Sequence, residues 1–240
     1  MQNLNYGVIG NCSTAALISE KGAIEWLCFP EFDSPSVFAA ILDRQKGGHF
    51  GFKVTSDYKV TQSYVPHTNI LSTHFESEEG AFDVVDFMPC YPTSDGKDFY
   101  RPAEIYRYIR WAKGRPRMKV DYRPAPNYAR GKTIYNVTSQ YVETYSSVEN
   151  KDRQYLYSSL DLKKVVNHDE ITLEKDEFFL FSFNEKVIPV DIEREKLEYC
   201  RTLVYWLNWT DHAKRYTRYN EVIERSMLCL LYTSPSPRDR

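Results

Sequence analysis

The sequence predicts a mainly β protein, an antiparallel two-sheet β-sandwich followed by helices. From Tyr6 to about Phe183, short runs of β-branched and aromatic residues recur between turn residues, the pattern of many antiparallel strands rather than of βαβ units. These runs outnumber the strands of one small barrel, so two packed sheets are the economical arrangement. At Ile188-Pro189-Val190-Asp191 the alternation stops, and apolar residues begin to recur at helical spacing. A boundary near residue 190 follows, with the sandwich over 1–190 and helices over 191–228.

Along the chain, the clearest hairpin spans Asn69 to Met88. Ile70, Ser72 and His74 alternate with Leu71, Thr73 and Phe75, Glu79-Gly80 turns the chain, and Phe82, Val84 and Asp86 oppose Asp83, Val85 and Phe87. A second pair is predicted from Glu104 to Ala112, turning at Lys113-Gly114-Arg115-Pro116 and returning through Met118, Val120 and Tyr122. Further strands are predicted at Thr133 to Thr138, Gln154 to Ser159 and Phe178 to Phe183. The last is almost entirely apolar and fits a strand buried on both faces. Glu193 to Thr210 reads as a helix with Leu197, Cys200, Val204 and Leu207 on its apolar side, Asp191 as its cap and acidic Glu193 and Glu195 at the positive end of its dipole. A second helix starts near Tyr219 or Asn220 and carries Val222, Ile223, Met227 and Leu228 on one side.

Composition excludes several function classes. In 240 residues, 31 Lys and Arg against 33 Asp and Glu leave a net charge of −2 with neither sign in a long block, so nothing points to nucleic acid. No stretch approaches the roughly 20 apolar residues that cross a bilayer, and Met1 to Gly10 lacks a basic region followed by an apolar run, so a cytoplasmic protein is expected. Cys12, Cys28, Cys90, Cys200 and Cys229 are widely spaced with no CxxC pair, as suits reduced thiols rather than a disulfide framework or a zinc site. His49, His67, His74, His168 and His212 share no ligand spacing. Neither a metal nor any other cofactor is expected.

From Cys229 the chain breaks out of its helical pattern into a Ser/Pro/Arg/Asp string. Cys229 to Asp239 resembles one reading frame of a transposase-type sequencing adapter. Residues 229–240 are therefore read as an artefact of DNA assembly, with the natural sequence expected to continue differently after Leu228. A natural proline-containing tail is the alternative.

Tyr6 to Asp43, with its ordered Gly10, Asn11, Thr14-Ala15-Ala16, Gly22, Trp26 and Phe32-Asp33-Ser34-Pro35, resembles the opening of bacterial and archaeal glycoside hydrolase family 15 proteins of the glucoamylase and trehalase type. The likeness continues in Gly47 to Phe50, Asp83 to Pro89, Arg123 to Arg130, and the helical segments around Trp206 and Ile223. That family more often has an acidic residue where Asn11 stands, and often Phe-Asp in place of Pro126-Asn127. The resemblance implies an N-terminal antiparallel sandwich, a linking helix, and then an (α/α)6 catalytic barrel of which only the first helix would be present. It also implies inverting hydrolysis of α-glucosides by two glutamates downstream of Leu228, so the fragment itself is expected to be inactive. Its packing partner would be its own catalytic domain, and its substrate an α-glucoside or glucan bound in the barrel.

Paired acids such as Glu78-Glu79, Asp83 with Asp86, and Asp169-Glu170 are of the type a glycosidase needs, but sequence proximity at turns and loops favours solvated surface. Trp26, Phe32 and Asp33 are the candidates for sugar contact, because aromatic faces stack on pyranose rings and a carboxylate accepts hydroxyl hydrogen bonds. The structural alternative makes Asp33 the cap of a short helix through Val37, Phe38 and Ile41, with Trp26 in the core. Trp206 and Trp209 are expected in core or interdomain packing. The competing function is a stand-alone carbohydrate-binding or structural sandwich. The helices discriminate, since their apolar sides need a surface that a lone sandwich does not supply.

Overall fold

The computed structural model describes residues 5–55, 57–148, 151–188, 190–212 and 218–233. In chain order the strands are β1 (Tyr6–Gly10), β2 (Ala15–Ser19), β3 (Ile24–Cys28), β4 (Ser36–Phe38), β5 (His49–Lys53), β6 (Lys59–Tyr64), β7 (Leu71–Glu76), β8 (Gly80–Phe87), β9 (Tyr91–Pro92), β10 (Phe99–Tyr100), β11 (Glu104–Gly114), β12 (Arg117–Arg123), β13 (Thr133–Val137), β14 (Val142–Ser146) and β15 (Gln154–Ser158). Helix α1 (Leu162–Asn167), strands β16 (Glu170–Thr172) and β17 (Glu177–Phe183), and helices α2 (Ile192–Asp211) and α3 (Asn220–Thr233) complete the chain.

All strand pairs are antiparallel. One seven-stranded sheet runs β1-β2-β3-β5-β12-β16 with β4 attached to β3, and an eight-stranded sheet runs β13-β14-β15-β17-β11-β8-β7-β6. Their inner faces enclose the main core, to which Ile18, Leu27, Phe38, Phe50 and Tyr122 contribute from the first sheet and Phe75, Phe82, Ile105, Phe179 and Phe181 from the second. The outer face of the eight-stranded sheet carries a second cluster, with Val85, Phe87, Tyr106, Phe178 and Leu180 beneath Trp206 of α2 and Leu228 and Leu231 of α3. Strand β17 contributes to both clusters and is buried throughout, as its apolar run predicts.

The two sheets are bolted together by the guanidinium of Arg107, which pairs with Asp86 in its own sheet and hydrogen-bonds to carbonyls of the other. Arg107 on β11 is wholly buried and donates from Nε to Asp86 Oδ1 at 2.7 Å and from Nη2 to Asp86 Oδ2 at 3.2 Å. Its remaining donors reach the other sheet, binding the Phe50 carbonyl at 2.6 Å and the Gly22 carbonyl. The guanidinium also lies 4.6 Å from the centre of the Phe50 ring and 4.8 Å from that of Phe52, so its charge is met on every side. Gly48, in the Gly47 to Phe50 motif, has φ 73°, and a Cβ there would strike the Arg123 carbonyl oxygen.

Two expectations about the strands are corrected. The hairpin at Asn69 to Met88 forms as β7 and β8, but β11 and β12 do not pair: β11 lies between β8 and β17, whereas β12 joins β5 in the opposite sheet. The turn at Gly114 to Pro116 is an arch, so Ile105 and Ile109 face Met118, Val120 and Tyr122 across the core instead of lying beside them. The short helix through Val37 and Phe38 is replaced by β4, which pairs with β3 through Leu27 opposite Phe38 and Cys28 opposite Ser36. The β-branched and aromatic side chains of this stretch favour the pleated surface.

Helix α2 is rotated relative to its apolar stripe. Its buried side comprises Glu195, Glu198, Thr202, Trp206 and Thr210, while Leu197 is 48% and Val204 62% exposed, with Cys200 and Leu207 also outward. The sheet face beneath it is rich in tyrosine, and hydroxyls such as those of Tyr91 and Tyr106 are met by polar groups of the helix. Asp191 caps α2 as expected, accepting from the Arg194 N–H at 2.8 Å. Helix α3 continues beyond Leu228 to Thr233, and residues 234–240 of the adapter-like string lie outside the described residues.

Candidate functional site

Two of the motif segments, the Asn11 to Thr14 turn and the Phe29 to Pro35 loop, lie at one end of the antiparallel strands β1 to β3, whereas Gly22, in the β2–β3 turn, lies at the other. Asn11 is wholly buried; its Oδ1 accepts from the Ser13 and Thr14 N–H groups, both at 3.1 Å, and its Nδ2 donates to the Pro102 carbonyl at 2.8 Å. The Thr14 hydroxyl donates to the Cys28 carbonyl at 2.6 Å, tying the β1–β2 turn to the start of the next loop. That loop leaves β3 through a cis Phe29–Pro30 bond. It is closed by the Ser34 N–H donating to the Glu31 carbonyl at 3.2 Å and the Glu31 N–H donating to Ser34 Oγ at 3.1 Å. Ser34 thus does the local bonding expected of Asp33.

Phe32 is 45% exposed, Asp33 is exposed, and the Asp33 carboxylate accepts no hydrogen bond among the described residues. Trp26 lies elsewhere: it pairs with Leu17 on the outward face of the first sheet, half-buried, in neither the core nor the loop. The structure therefore brings Phe32 and Asp33 together and leaves Trp26 apart.

Beside this loop, the segment after β12 makes one turn of left-handed helix. Asn127, Tyr128 and Ala129 have φ of 56°, 54° and 57°. The turn is closed by the Ala129 N–H donating to the Ala125 carbonyl at 3.2 Å and the Arg130 N–H donating to the Asn127 carbonyl at 3.1 Å. Asparagine tolerates this region, but tyrosine and alanine do so at about 1–2 kcal/mol each. Such strain persists only where the surroundings impose it. Here the Ala125 N–H donates to the Val37 carbonyl at 2.9 Å, the Tyr128 N–H to the Ser36 carbonyl at 3.4 Å, and the Thr133 hydroxyl to the Pro124 carbonyl at 2.7 Å. The Tyr128 ring is left 44% exposed with its hydroxyl 3.5 Å from the Ser34 carbonyl, and the Arg130 guanidinium lies 5.9 Å from the ring centre.

A second concentration of ionisable groups sits under α2. The Tyr106 hydroxyl donates to Glu104 at 2.9 Å, and the Tyr91 hydroxyl donates to Glu198 at 2.7 Å, with Arg194 and Arg201 at the edges. Glu195 is 1% exposed, and its Oε1 has no hydrogen-bond partner among the described residues. Burial, reinforced by the negative charge of Asp86, Glu104 and Glu198, holds its carboxyl well above the ordinary carboxylate range, with Arg194 opposing. Burial likewise raises Glu104. On the outer face of the first sheet, burial raises Asp121, but hydrogen bonds from Lys53 at 2.7 Å, from Arg123 at 2.7 Å and with His49 at 2.8 Å more than offset this and hold it well below that range. Asp121 is thereby a structural acceptor, not a proton donor.

Sequence reasoning missed Tyr128 and Arg130, although Pro124, Pro126 and Asn127 advertise an unusual backbone there. It also missed the buried acids of α2, whose signal is the polar spacing Glu195, Glu198, Thr202, Trp206 and Thr210 running beside the apolar stripe.

An antiparallel sandwich with motif loops at one end and a helix seated on its flank through polar contacts defines a β-domain. Residues 5–150 match the family model described as Trehalase-like, N-terminal, and the chain belongs to that family. It is 29% identical to a trehalase of Thermoplasma acidophilum over 223 residues, 89% of this chain and 37% of that protein. Over 85 residues, 35% of this chain and 14% of that protein, it is 51% identical to trehalase 1 of Sulfolobus acidocaldarius. A trehalase of Mycolicibacterium smegmatis is 33% identical over 141 residues, 52% of this chain and 20% of that protein. The chain spans little more than a third of the length of the archaeal relatives that it matches along most of its own length.

Proposed function

We propose that the chain is the N-terminal β-domain of an inverting hydrolase of α-glucosides, of trehalase or glucoamylase type and cytoplasmic, and that it is not catalytic by itself. Its relatives bear the name trehalase. The observation that carries the proposal is the uncovered apolar side of α2 and α3, where Leu197, Val204, Leu207 and Val222 are all exposed. Between the helices runs a groove of about 620 Å³ lined by Val204, Leu207, Ile223 and Met227, with His67 and Glu224 paired at 2.8 Å on its rim. Apolar surface of this extent calls for a partner. The partner proposed is the protein's own helical catalytic barrel, with α3 as its first helix. A stand-alone sandwich would leave this surface in water.

Inverting hydrolysis requires one carboxylic acid to protonate the leaving oxygen and one carboxylate to activate water, roughly 6.5–9.5 Å apart across the sugar. Four of the six acids weighed for this task in the chain are otherwise engaged. Asp83 meets His74 and Arg110, Asp86 meets Arg107, and Glu79 and Glu170 share Arg117. The hydrolytic pair is therefore assigned to residues outside this chain, and Phe32 and Asp33, with Trp26 further off, to substrate contact from the sandwich side. Proton NMR of the intact protein acting on an aryl α-glucoside tests the proposal. β-Glucose should appear before mutarotation, and the 240-residue chain alone should release none. First appearance of α-glucose overturns inversion, and turnover by the chain alone overturns its non-catalytic role.

A further inference from the structure

The rim formed by the left-handed turn and the Phe32 loop has a composition that folding does not account for. Two large rings, Phe32 and Tyr128, stand nearly half in water, and the second is placed there by a backbone that Tyr128 and Ala129 adopt only under constraint. Burial cannot be the reason for that constraint, since the ring is not buried. Stability of the turn is not served either, because right-handed residues would close an ordinary turn without strain. What the constraint achieves is position: the Tyr128 hydroxyl reaches back toward the Ser34 carbonyl, one residue beyond Asp33, and Arg130 follows on the same turn. The rim thus presents two aromatic faces, a carboxylate with no hydrogen bond among the described residues, and a guanidinium.

That combination suits one chemical class. Aromatic faces accept the C–H face of a pyranose, while a carboxylate and a guanidinium accept from and donate to adjacent hydroxyls. A protein partner is the less suitable occupant, because the broad uncovered apolar surface lies on α2 and α3, over the other sheet. We propose that Tyr128 and Arg130, preset by the left-handed turn, join Phe32 and Asp33 in a surface site for a glucosyl unit of an α-glucoside. The proposal rests on the α-glucosidase assignment above for its substrate class. Tyr128 and Arg130 are the binding residues that it adds to Phe32 and Asp33.

The test is an amide chemical-shift titration of the 240-residue chain with maltose and with trehalose, using the β-linked cellobiose as comparison. Shifts should concentrate at Phe32 to Ser34 and at Asn127 to Arg130. Tyr128→Ala should weaken binding by about fivefold, the order of a single aromatic contact. Because Tyr128→Ala could release the turn, Arg130→Gln provides a second variant that leaves the backbone alone, and it too should weaken binding. The site is overturned if the α-linked sugars shift none of these amides, if cellobiose shifts them equally, or if neither Tyr128→Ala nor Arg130→Gln changes the affinity. Should the intact protein hydrolyse α-glucosides with inversion while the rim stays silent, the site alone falls; should it hydrolyse none, the substrate class falls with it.

Discussion

Replacing Arg107 by methionine removes the bolt between the sheets while roughly keeping its volume. The substitution leaves Asp86 wholly buried without a counter-charge, and breaking such a pair from one side costs about 3–5 kcal/mol. The Gly22 and Phe50 carbonyls also lose their donors from the guanidinium, and an unsatisfied buried acceptor costs about 1–3 kcal/mol. Packing of the thioether on Phe50 and Phe52 returns part of this, so a net loss near the upper end of about 3–5 kcal/mol is expected, a large share of the 5–15 kcal/mol typical of a domain. The loss should deepen as pH rises. Burial already pushes the Asp86 carboxyl up against the pull of Arg107, and without the guanidinium its folded value rises further, so stability present at low pH disappears as pH climbs through it. Urea unfolding at several pH values measures this through the midpoint at constant slope. Arg107→Met with Asp86→Leu should recover at least half of the loss, because no lone buried charge remains. A single variant losing less than about 1 kcal/mol, or a double variant no better than the single, would refute the role given to the pair.

Two further outcomes follow from the helices. Glu195 has a raised carboxyl, so the seat of α2 is firmest below the ordinary carboxyl value and loosens as pH rises through the raised one. Glu195→Gln should flatten that dependence, read from the fluorescence of buried Trp206; superimposable pH profiles for parent and variant would exclude Glu195 as its source. Leu197→Gln with Val204→Gln should leave stability within about 0.5 kcal/mol, as exposed sites do, yet reduce self-association of the isolated chain in sedimentation measurements; a large drop in melting temperature would mean that the stripe is packed.

What could be read from the sequence divides along physical lines. The Asn69 to Met88 hairpin and the doubly buried β17 were legible because alternation and a continuous apolar run are local patterns that burial enforces. The partner of β12 was not, since alternation says which face is buried but not which neighbour lies beside it, and Gly114 to Pro116 suits an arch as well as a hairpin. Helix α2 misled because its polar face meets tyrosine hydroxyls instead of an apolar sheet. An outward-facing apolar stripe follows from chemistry on a surface that the helix sequence does not contain. At the candidate site Phe32 and Asp33 were found from their motif and Tyr128 was not, because left-handed non-glycine residues are imposed by tertiary hydrogen bonds that the turn donates to β4 carbonyls.

The place of β17 bears on how the protein is made. Last of the described strands in chain order, it sits in the middle of the eight-stranded sheet, between β15 and β11. Until Phe183 has left the ribosome, that sheet can exist only as two halves, β13-β14-β15 and β11-β8-β7-β6, each with an unpaired edge facing the gap. A nascent chain is thus sticky for most of its length and closes in one late step, so a stall or a nonsense codon shortly before residue 177 is more hazardous than one shortly after 183. The keystone arrives after the arch, and chaperones have that interval to cover.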